Sequence, residues 1–440
     1  MKKPGKNNPR RVAVYTLGCK VNQFESACLL ERFQAQGWET VPFKDKADFY
    51  LINTCAVTAE AQRQSAQMVR RVIRNHPESL VVAAGCATQL FHHDYEKIPG
   101  LDYIAGTFKK LEIPYKISSL EKTTSPYLLH SPESEHTIDA QFPRAVQRTR
   151  AFVRIQEGCN GQCSYCLVPR ARGRSRSLLL TEVITGVEVL AGRGIKELIL
   201  TGIHLGQYGG DLRPQESLVT LLEILLPQNP GVSFRLSSLE PQEVTPALLA
   251  LFKKYPNLCP HLHIPLQAGE DSLLIKMNRS YSTDFYRRLI QAIRWEIPYA
   301  AIGADLIVGF PGEEAALFQR TVNFISDLSL SYLHIFPFSP RPGTPAAEFP
   351  DPIPAKTKKE RLEIIRAMDR AKRKAFMERC LGQAFSALVL QPEQEKGWIT
   401  ALTENYLTVS IQGRFKQNDR LRVRLKRVDP SRGLIGEVLP

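Results

Sequence analysis

The stretch EGCNGQCSYC, residues 157–166, decides how the chain folds and what it could bind. It places Cys159, Cys163 and Cys166 in C-x3-C-x2-C spacing, directly after an apolar strand candidate at residues 152–156. Three thiolates so close in sequence can converge on a zinc ion or an iron–sulfur cluster. A structural zinc site needs a fourth Cys or His nearby, and the residues that follow, LVPRARGRSRSL, offer none. The stretch therefore predicts a three-thiolate metal site at the end of a strand.

Strand and helix candidates alternate from this motif onward, as in a β/α barrel. A closed barrel of this kind needs eight β/α units. The chain offers six strand candidates, at residues 152–156, 197–201, 233–237, 261–266, 302–308 and 332–336. Six units predict a partial barrel that is open on one side, and a charged helix at residues 356–380 ends the region.

A second β/α alternation precedes the motif, at residues 11–113. Its helix candidates are residues 25–36 and 59–75, and residues 20–23 read as a loop. Continuous apolar strands of this kind are typical of a parallel sheet covered on both faces. The strand candidates are residues 12–17, 49–53 and 80–84.

The last part of the chain changes to short strands separated by turn residues, the pattern of a small OB-like barrel. These strand candidates are residues 385–390, 398–402, 407–411, 421–428 and 434–438. The predicted fold is thus an α/β multidomain protein. It has a parallel α/β domain at residues 10–118, a linker at 119–144, an open (β/α)6 barrel at 145–378 and an all-β barrel at 379–440.

Composition narrows the function classes. The 440 residues contain no apolar run near the ~20 residues that cross a bilayer, and the basic N-terminus lacks the apolar region of a signal peptide. We therefore expect a cytoplasmic protein, in which nine cysteines, an odd number, argue against a disulfide framework. A net charge of +14 is compatible with a generally basic enzyme or with a polyanionic partner such as nucleic acid.

The cysteine motif at the head of a six-unit β/α region resembles the radical S-adenosylmethionine (SAM) superfamily. This resemblance implies a 4Fe–4S cluster whose fourth iron binds SAM and cleaves it to a 5′-deoxyadenosyl radical. Polar and glycine-rich turns follow all the later strands, where barrel enzymes bind their ligands. The candidate cofactor-binding residues are Tyr165, Gly202, Ser238, Glu240, Gln267, Asp305 and Phe336.

Three further cysteines, Cys19, Cys55 and Cys86, each follow one of the N-terminal strand candidates, in TLGC, INTC and AAGC. Because the carboxyl ends of parallel strands share one sheet edge, the three thiols should lie together there. Small buried cysteines are the alternative, but the first cluster motif favours a second three-thiolate cluster. The remaining cysteines, Cys28, Cys259 and Cys380, are assigned to packing.

A three-cysteine domain joined to a radical SAM core and a small C-terminal barrel resembles the methylthiotransferases, over essentially the whole chain. This family inserts sulfur and a methyl group at an unactivated C–H bond. The resemblance implies two 4Fe–4S clusters, one SAM as methyl donor and another as radical source, and no side chain acting as catalytic acid or base. It further implies an electron donor of the flavodoxin or ferredoxin type, a sulfur source, and no membrane partner.

Clustered cations point to RNA as the substrate class. In LRVRLKRV, Arg420, Arg422, Arg424 and Lys426 alternate with apolar residues, which places all four on one face of a strand. Most such stripes are solvated faces, yet a small barrel with a basic face is also a nucleic-acid platform. Further RNA-binding candidates directly follow the cluster motif: Arg172, Arg174 and Arg176.

The segment LGCKVNQFES most resembles the family branch that acts on N6-threonylcarbamoyladenosine, 3′ of the tRNA anticodon. Two other branches stay open: one modifies isopentenyladenosine in tRNA, and one modifies an aspartate of a ribosomal protein. An RNA-binding protein whose cysteines hold only structural metal is the non-enzymatic alternative.

Overall fold

The computed structural model describes residues 10–108, 110–129, 149–395 and 397–440, together with Ile138 and Phe142. Of the predicted linker, residues 130–137, 139–141 and 143–144 lie outside the described residues, as do the basic residues 1–9. The chain forms two compact units. The first contains the described residues of Met1–Val146, Gln156–Gly161 and Cys166–Leu178, and the second those of Gln147–Ile155, Gln162–Tyr165 and Leu179–Pro440.

The strands are numbered along the chain. They are β1 (Arg11–Thr16), β2 (Glu39–Thr40), β3 (Phe49–Thr54), β4 (Leu80–Gly85), β5 (Tyr103–Ala105), β6 (Tyr127–Leu129), β7 (Arg150–Arg154), β8 (Gln156–Glu157), β9 (Arg176–Ser177), β10 (Glu197–Thr201), β11 (Ser233–Leu236), β12 (His261–His263), β13 (Ala301–Val308), β14 (Tyr332–Pro337), β15 (Ala384–Glu395), β16 (Trp398–Thr403), β17 (Thr408–Gln412), β18 (Arg420–Asp429) and β19 (Gly433–Val438).

The α-helices are numbered in the same way. They are α1 (Lys20–Ala35), α2 (Ala59–Asn75), α3 (Cys86–Leu90), α4 (His92–Glu96), α5 (Ile113–Lys116), α6 (Val168–Arg172), α7 (Leu180–Gly192), α8 (Leu218–Gln228), α9 (Pro246–Lys254), α10 (Asp271–Lys276), α11 (Thr283–Glu296), α12 (Ala315–Asp327) and α13 (Ala355–Arg379). Short 3-10 turns occur at Lys110–Glu112, Ile117–Ser119, Leu205–Gln207, Pro241–Glu243 and Pro345–Ala347. None of the described helices combines the length and apolarity needed to cross a bilayer.

The first unit is built on a parallel sheet with strand order β2-β1-β3-β4-β5-β6. Every residue of the central strands β3 and β4 is buried, as expected for a sheet covered on both faces. The three predicted strands are confirmed. The structure adds β2, β5 and β6, each of two or three residues, and β6 comes from the segment predicted as linker.

Helix α1 begins earlier than predicted and removes the loop expected at residues 20–23. Cys19 has extended backbone at the N-cap position, and the helix starts at Lys20. Asn22 is buried inside it, because its amide donates to the carbonyls of Leu17 (2.7 Å) and Thr54 (3.1 Å). A buried amide is tolerated when its hydrogen bonds are made, so a polar residue lies in the core here.

The second unit contains the predicted partial barrel. Its strands pair in parallel as β7-β10-β11 and β12-β13-β14, with bridges between Phe234 and Leu258 and between Ser238 and His263 joining the two sets. The order along the barrel is therefore the order along the chain. Loops that follow these strands lie at one end of the barrel, where the cofactor residues were predicted.

The C-terminal strands form a closed barrel, as predicted, and the structure gives their order as β15-β16-β17-β19-β18. Residues Phe376 and Cys380, at the end of α13, pack in its core together with Ala301 of β13. Arg235 of β11 is 2% exposed, and its guanidinium donates to the backbone carbonyl of Glu404 at 3.0 Å. The small barrel is thus fastened to the β/α barrel through both apolar core and buried polar contacts.

Candidate metal centre

Cys19, Cys55 and Cys86 follow three neighbouring strands of the first unit. Cys55 and Cys86 come directly after β3 and β4, and Cys19 comes three residues after β1. These strands pair side by side in parallel, so their carboxyl ends share one sheet edge. All three side chains are free cysteines at that edge. The placement that the β/α period predicted is confirmed.

Two glycines allow the backbone to approach this edge closely. Gly18 has φ +97°, and a Cβ there would lie 2.8 Å from Sγ of Cys55. Gly85 has φ +129°, and a Cβ there would lie 2.7 Å from the carbonyl oxygen of Thr54. Residues that carry a Cβ rarely adopt such backbone angles, so both positions strongly favour glycine. The glycines keep the loops after β1, β3 and β4 packed around the thiols.

The electrostatics of these thiols suit a metal site. Protein atoms around Cys19 desolvate its thiol and raise its pKa, although part of the side chain remains exposed, and the charge of Cys86 adds to the effect. Desolvation raises the pKa of Cys55 to about 11, with further increases from Cys86 and Cys19. The thiols of Cys19 and Cys55 are therefore neutral in the absence of metal, and a bound metal cation would deprotonate them as it coordinates. An all-sulfur donor set fits an iron–sulfur cluster.

Arg172 lies beside Cys86 and is 2% exposed. Its Nε donates to Sγ of Cys86 at 3.3 Å, and its Nη2 donates to Oδ1 of Asn22 at 2.5 Å. Its Nη1 donates to Glu157 at 2.7 Å and to Glu25 at 3.1 Å, and a second bond from Nη2 reaches Glu25 at 3.2 Å. The guanidinium is therefore bound on all sides within the first unit.

A second buried cation completes this network. Lys110 is 0% exposed, and its Nζ donates to Glu25 at 2.5 Å and to Oδ1 of Asn53 at 3.2 Å. Two cations, Arg172 and Lys110, thus face two carboxylates, Glu25 and Glu157. Buried charges are stable when paired and hydrogen-bonded in this way. We refer to Asn22, Glu25, Lys110, Glu157 and Arg172 as the buried network.

In the C-x3-C-x2-C motif, Cys159 and Cys166 belong to the first unit. Sγ of Cys159 accepts the backbone N–H of Gly161 at 3.2 Å, and Sγ of Cys166 accepts that of Val168 at 3.4 Å. Hydrogen bonds to the sulfurs are among the interactions that stabilise and tune iron–sulfur ligands. Both side chains are partly exposed, as a ligand open to a cluster must be.

Cys163 belongs to the second unit, where Arg279 lies next to it. Nη1 of Arg279 donates to Sγ of Cys163 at 3.1 Å, and Nη2 contacts the carboxylate of Glu240. Glu240 is therefore paired with a cation, while its neighbour Ser238 is exposed. Nothing in the residue pattern singled out Arg279, because a lone arginine after a helix has no periodic signal.

The remaining predicted cofactor residues belong to the second unit, where Asp305 lies within strand β13 and the others lie in loops or near strand ends. Asp305 of β13 accepts from His263 at 2.9 Å and lies 3.4 Å from His334, and these partners hold its pKa well below the usual range despite burial. Gln267 has φ 64°, an angle uncommon outside glycine. Gly202, which is partly buried, follows strand β10, and Phe336, which is 40% exposed, lies near the end of β14. Tyr165 is partly buried and lies in the cysteine motif itself, between Cys163 and Cys166.

The structure corrects the role predicted for Arg172. That side chain was expected on RNA, but its guanidinium is buried in the network beside Cys86. Arg174 is exposed, and Arg176 is partly buried over the ring of Phe108. The four cations of β18 are exposed and alternate with buried Val423 and Leu425, as predicted.

The structure also adds residues that the sequence patterns did not single out. Glu25 and Lys110 carry ordinary surface side chains, so only their burial reveals them. His263 and His334 contact Asp305 from neighbouring strands, a contact that requires the register of the sheet. The cysteines assigned to packing, Cys28, Cys259 and Cys380, are all buried.

Two family models match the chain. The uncharacterized protein family UPF0004 matches residues 11–106, and the radical SAM superfamily matches residues 153–325. In fold, the chain is similar to the radical SAM methyltransferase TsrM from Kitasatospora setae. The TM-score is 0.55 at 16% identity, and the match covers 77% of this chain and 74% of that one.

Curated relatives extend over nearly the full length. The threonylcarbamoyladenosine tRNA methylthiotransferase MtaB of Aquifex aeolicus is 36% identical, over 92% of this chain and 97% of its own. The tRNA-2-methylthio-N(6)-dimethylallyladenosine synthase of Dictyoglomus thermophilum is 32% identical, over 91% of this chain and 92% of its own. The chain therefore belongs to the radical SAM methylthiotransferases and is an enzyme of that class.

Proposed function

We propose that this methylthiotransferase acts on tRNA. In this proposal it converts N6-threonylcarbamoyladenosine at position 37, 3′ of the anticodon, to the 2-methylthio derivative. The observation that carries the proposal is the pairing of the C-x3-C-x2-C motif with a second set of three cysteines at one sheet edge. An enzyme that only generated a radical would need one set, whereas insertion of sulfur gives a reason for two.

The six cysteines are the proposed cluster ligands. Cys159, Cys163 and Cys166 would hold one 4Fe–4S cluster, and the N-terminal three would hold the other. When bound, the clusters and SAM would supply a radical, a sulfur atom and a methyl group, chemistry that no side chain offers. The chain's own residues would hold these groups and exclude water from them.

The barrel end provides the proposed SAM site. Asp305 is ionised, since its pKa lies far below neutrality, and a carboxylate is a suitable acceptor for ribose hydroxyls. Glu240 lies in the same loop as exposed Ser238, where the two could receive the ammonium group of an amino acid. Tyr165, Gly202, Gln267 and Phe336 would complete the site.

Exposed cations provide the proposed RNA surface. On β18, Arg422 and Arg424 point away from the barrel core because their neighbours Val423 and Leu425 are buried. Arg420, Lys426, Arg174 and Arg176 would extend the contact, and Arg172 is excluded by its burial. A basic face on a small barrel tracks a nucleic-acid backbone with affinity that falls as salt rises.

The choice of nucleoside rests on two observations. The segment LGCKVNQ resembles the threonylcarbamoyladenosine branch, and the relative with that name is 36% identical, against 32% for the dimethylallyladenosine synthase. Nucleoside mass spectrometry of tRNA from cells with and without the gene tests this choice. Loss of 2-methylthio-threonylcarbamoyladenosine is expected. Loss of the isopentenyladenosine product, or of a ribosomal-protein modification alone, would overturn it.

Single cysteine variants test the two-cluster proposal. After anaerobic reconstitution the parent should bind about eight irons per chain, and Cys55→Ala and Cys159→Ala about four each. Cys159→Ala should release no deoxyadenosine from SAM, whereas Cys55→Ala should release some and form no methylthiolated nucleoside. Cys28→Ala is the matched control, since Cys28 is buried in α1. Full product formation by Cys55→Ala would refute the second cluster.

A further inference from the structure

We propose that Arg172 is a positioning residue of the N-terminal cysteine site, where its N–H···S hydrogen bond to Cys86 raises the reduction potential of the cluster bound there. This inference rests on the proposed function, because it concerns the second cluster. It assigns Arg172 a role that differs from RNA contact.

The geometry directs the guanidinium at the sulfur. Nε of Arg172 lies 3.3 Å from Sγ of Cys86, within the distance of a hydrogen bond to sulfur. The cation is 2% exposed, so solvent does not screen it as it would a surface arginine. Hydrogen bonds to ligand sulfurs, together with nearby charge, set the potential of iron–sulfur clusters.

The buried network fixes this arrangement. Glu157 and Glu25 accept from Nη1 at 2.7 and 3.1 Å, and Asn22 accepts from Nη2 at 2.5 Å. These three partners occupy the terminal nitrogens and leave Nε for the sulfur. Outer partners of this kind orient metal ligands and tune the metal. The fork geometry is specific to arginine, since lysine presents a single ammonium.

The network also joins the two cysteine sets through the chain. Glu157 precedes Cys159 by two residues, and Arg172 ends the short helix α6 that begins two residues after Cys166. Both ends of the motif stretch thus send a side chain into the network beside Cys86. Arg172 contacts a proposed ligand of the N-terminal cluster directly, through Cys86, so its substitution should change the reduction potential of that cluster.

The direction of the effect follows from charge. Reduction adds one electron, and so one negative charge, to the cluster and its thiolates. A buried cation that donates to one of those thiolates stabilises the reduced form more than the oxidised form. Removing it should lower the reduced-to-oxidised ratio at a fixed applied potential.

The experiment uses the full chain carrying Cys159→Ala, Cys163→Ala and Cys166→Ala, so that only the N-terminal site can bind a cluster. After anaerobic reconstitution, iron is counted and the one-electron reduction is titrated electrochemically, with electron paramagnetic resonance as the readout. Arg172→Gln should lower the reduced-to-oxidised ratio at least tenfold, which is a shift of about −59 mV for one electron. Arg172→Lys, which keeps the charge, should lie between parent and Arg172→Gln.

Three further variants keep the result interpretable. Arg172→Gln leaves the two buried carboxylates with only one cation, Lys110. The double variant Glu157→Gln/Arg172→Gln restores equal numbers of buried positive and negative charges, and Glu157→Gln alone is the variant with which it is compared. Arg32→Gln is the control, because Arg32 is a buried arginine of α1 that donates to the Leu111 carbonyl. It should leave the potential unchanged.

The outcomes separate this inference from the proposed function. If the three-alanine chain binds no iron, the second cluster itself is refuted. If it binds a cluster whose potential does not change in the Arg172 variants, the inference about Arg172 is wrong. Folded Arg172 variants that bind no iron, beside an iron-binding Arg32→Gln, would assign Arg172 to formation of the site and would also overturn the inference.

Discussion

Alanine at Gly18 is the substitution whose effect on the N-terminal cysteine site can be worked most directly from the structure. Gly18 has φ +97°, where an L-residue costs about 1–2 kcal/mol. Its new Cβ would lie 2.8 Å from Sγ of Cys55, and overpacking of this kind costs about 1–3 kcal/mol. The total, about 2–5 kcal/mol, is below the roughly 5–15 kcal/mol that stabilises a typical domain. The chain should fold with Cys55 displaced.

Gly37→Ala separates the two contributions. Gly37 has φ +79° and nothing within 4 Å of a built Cβ, so alanine there adds backbone strain without touching a cysteine. Urea unfolding of the metal-free chain should show a larger loss for Gly18→Ala than for Gly37→Ala. After reconstitution, Gly18→Ala should retain about four irons per chain and Gly37→Ala about eight. Equal iron content and equal unfolding free energies in the two variants would refute the packing of Gly18 against a cluster ligand.

Three further predictions concern pH, a buried ion pair and salt. Burial raises the pKa of Cys259 to about 12, so above about pH 9 the folded chain keeps a proton that the unfolded chain loses, and stability falls as pH rises. In urea unfolding between pH 8.5 and 10.5, the free energy of unfolding of Cys259→Ala should therefore fall less steeply with pH than that of the parent. The difference in slope should be up to about 1.4 kcal/mol per pH unit. Equal slopes would contradict this prediction. Arg235→Met should cost at most about 3–5 kcal/mol, because it removes one of the two arginines that pair with buried Glu197, while Arg150 stays at 2.6 Å from that carboxylate. The double variant Arg150→Met/Arg235→Met, which leaves Glu197 without either arginine, should cost more than Arg235→Met in the same urea assay, and equal costs would contradict the pairing. Arg424→Ala should reduce the magnitude of the slope of log affinity for tRNA against log salt concentration by about 0.7–0.9. Lys253→Ala, a change of an exposed lysine outside the proposed RNA surface, should leave that slope unchanged. Equal slopes for the parent and Arg424→Ala would show that Arg424 does not contact the RNA.

The parts of the fold that could be predicted from the sequence are those with a periodic pattern of apolar residues or of β/α units. Fully apolar runs such as those of β3 and β4 located the sheet, and one β/α unit between successive cysteines located Cys19, Cys55 and Cys86 on one edge. Strands β2, β5 and β6 were missed because two or three residues are too few to show a period.

Burial of individual cations could not be deduced from the sequence. Arg172 and Arg174 stand two residues apart in the same basic run, yet one is buried and the other exposed. What distinguishes them is the presence of Glu25, more than a hundred residues earlier, within bonding distance of Arg172. A contact of that sequence separation depends on how β1, α1 and α6 pack, and it leaves no trace in a local pattern.

The attachment of the C-terminal barrel limits how this enzyme can be rearranged in evolution or in the laboratory. Arg235 of β11 donates to the carbonyl of Glu404, and Ala301 of β13 lies in the apolar core of the small barrel. Deleting residues 380–440 would expose that alanine and take a partner from a buried guanidinium. A barrel transplanted from a relative would need to bring a matching carbonyl and apolar surface. Specificity changes that depend on the small barrel should therefore arise more readily by point substitution on its exposed face than by exchange of the whole domain.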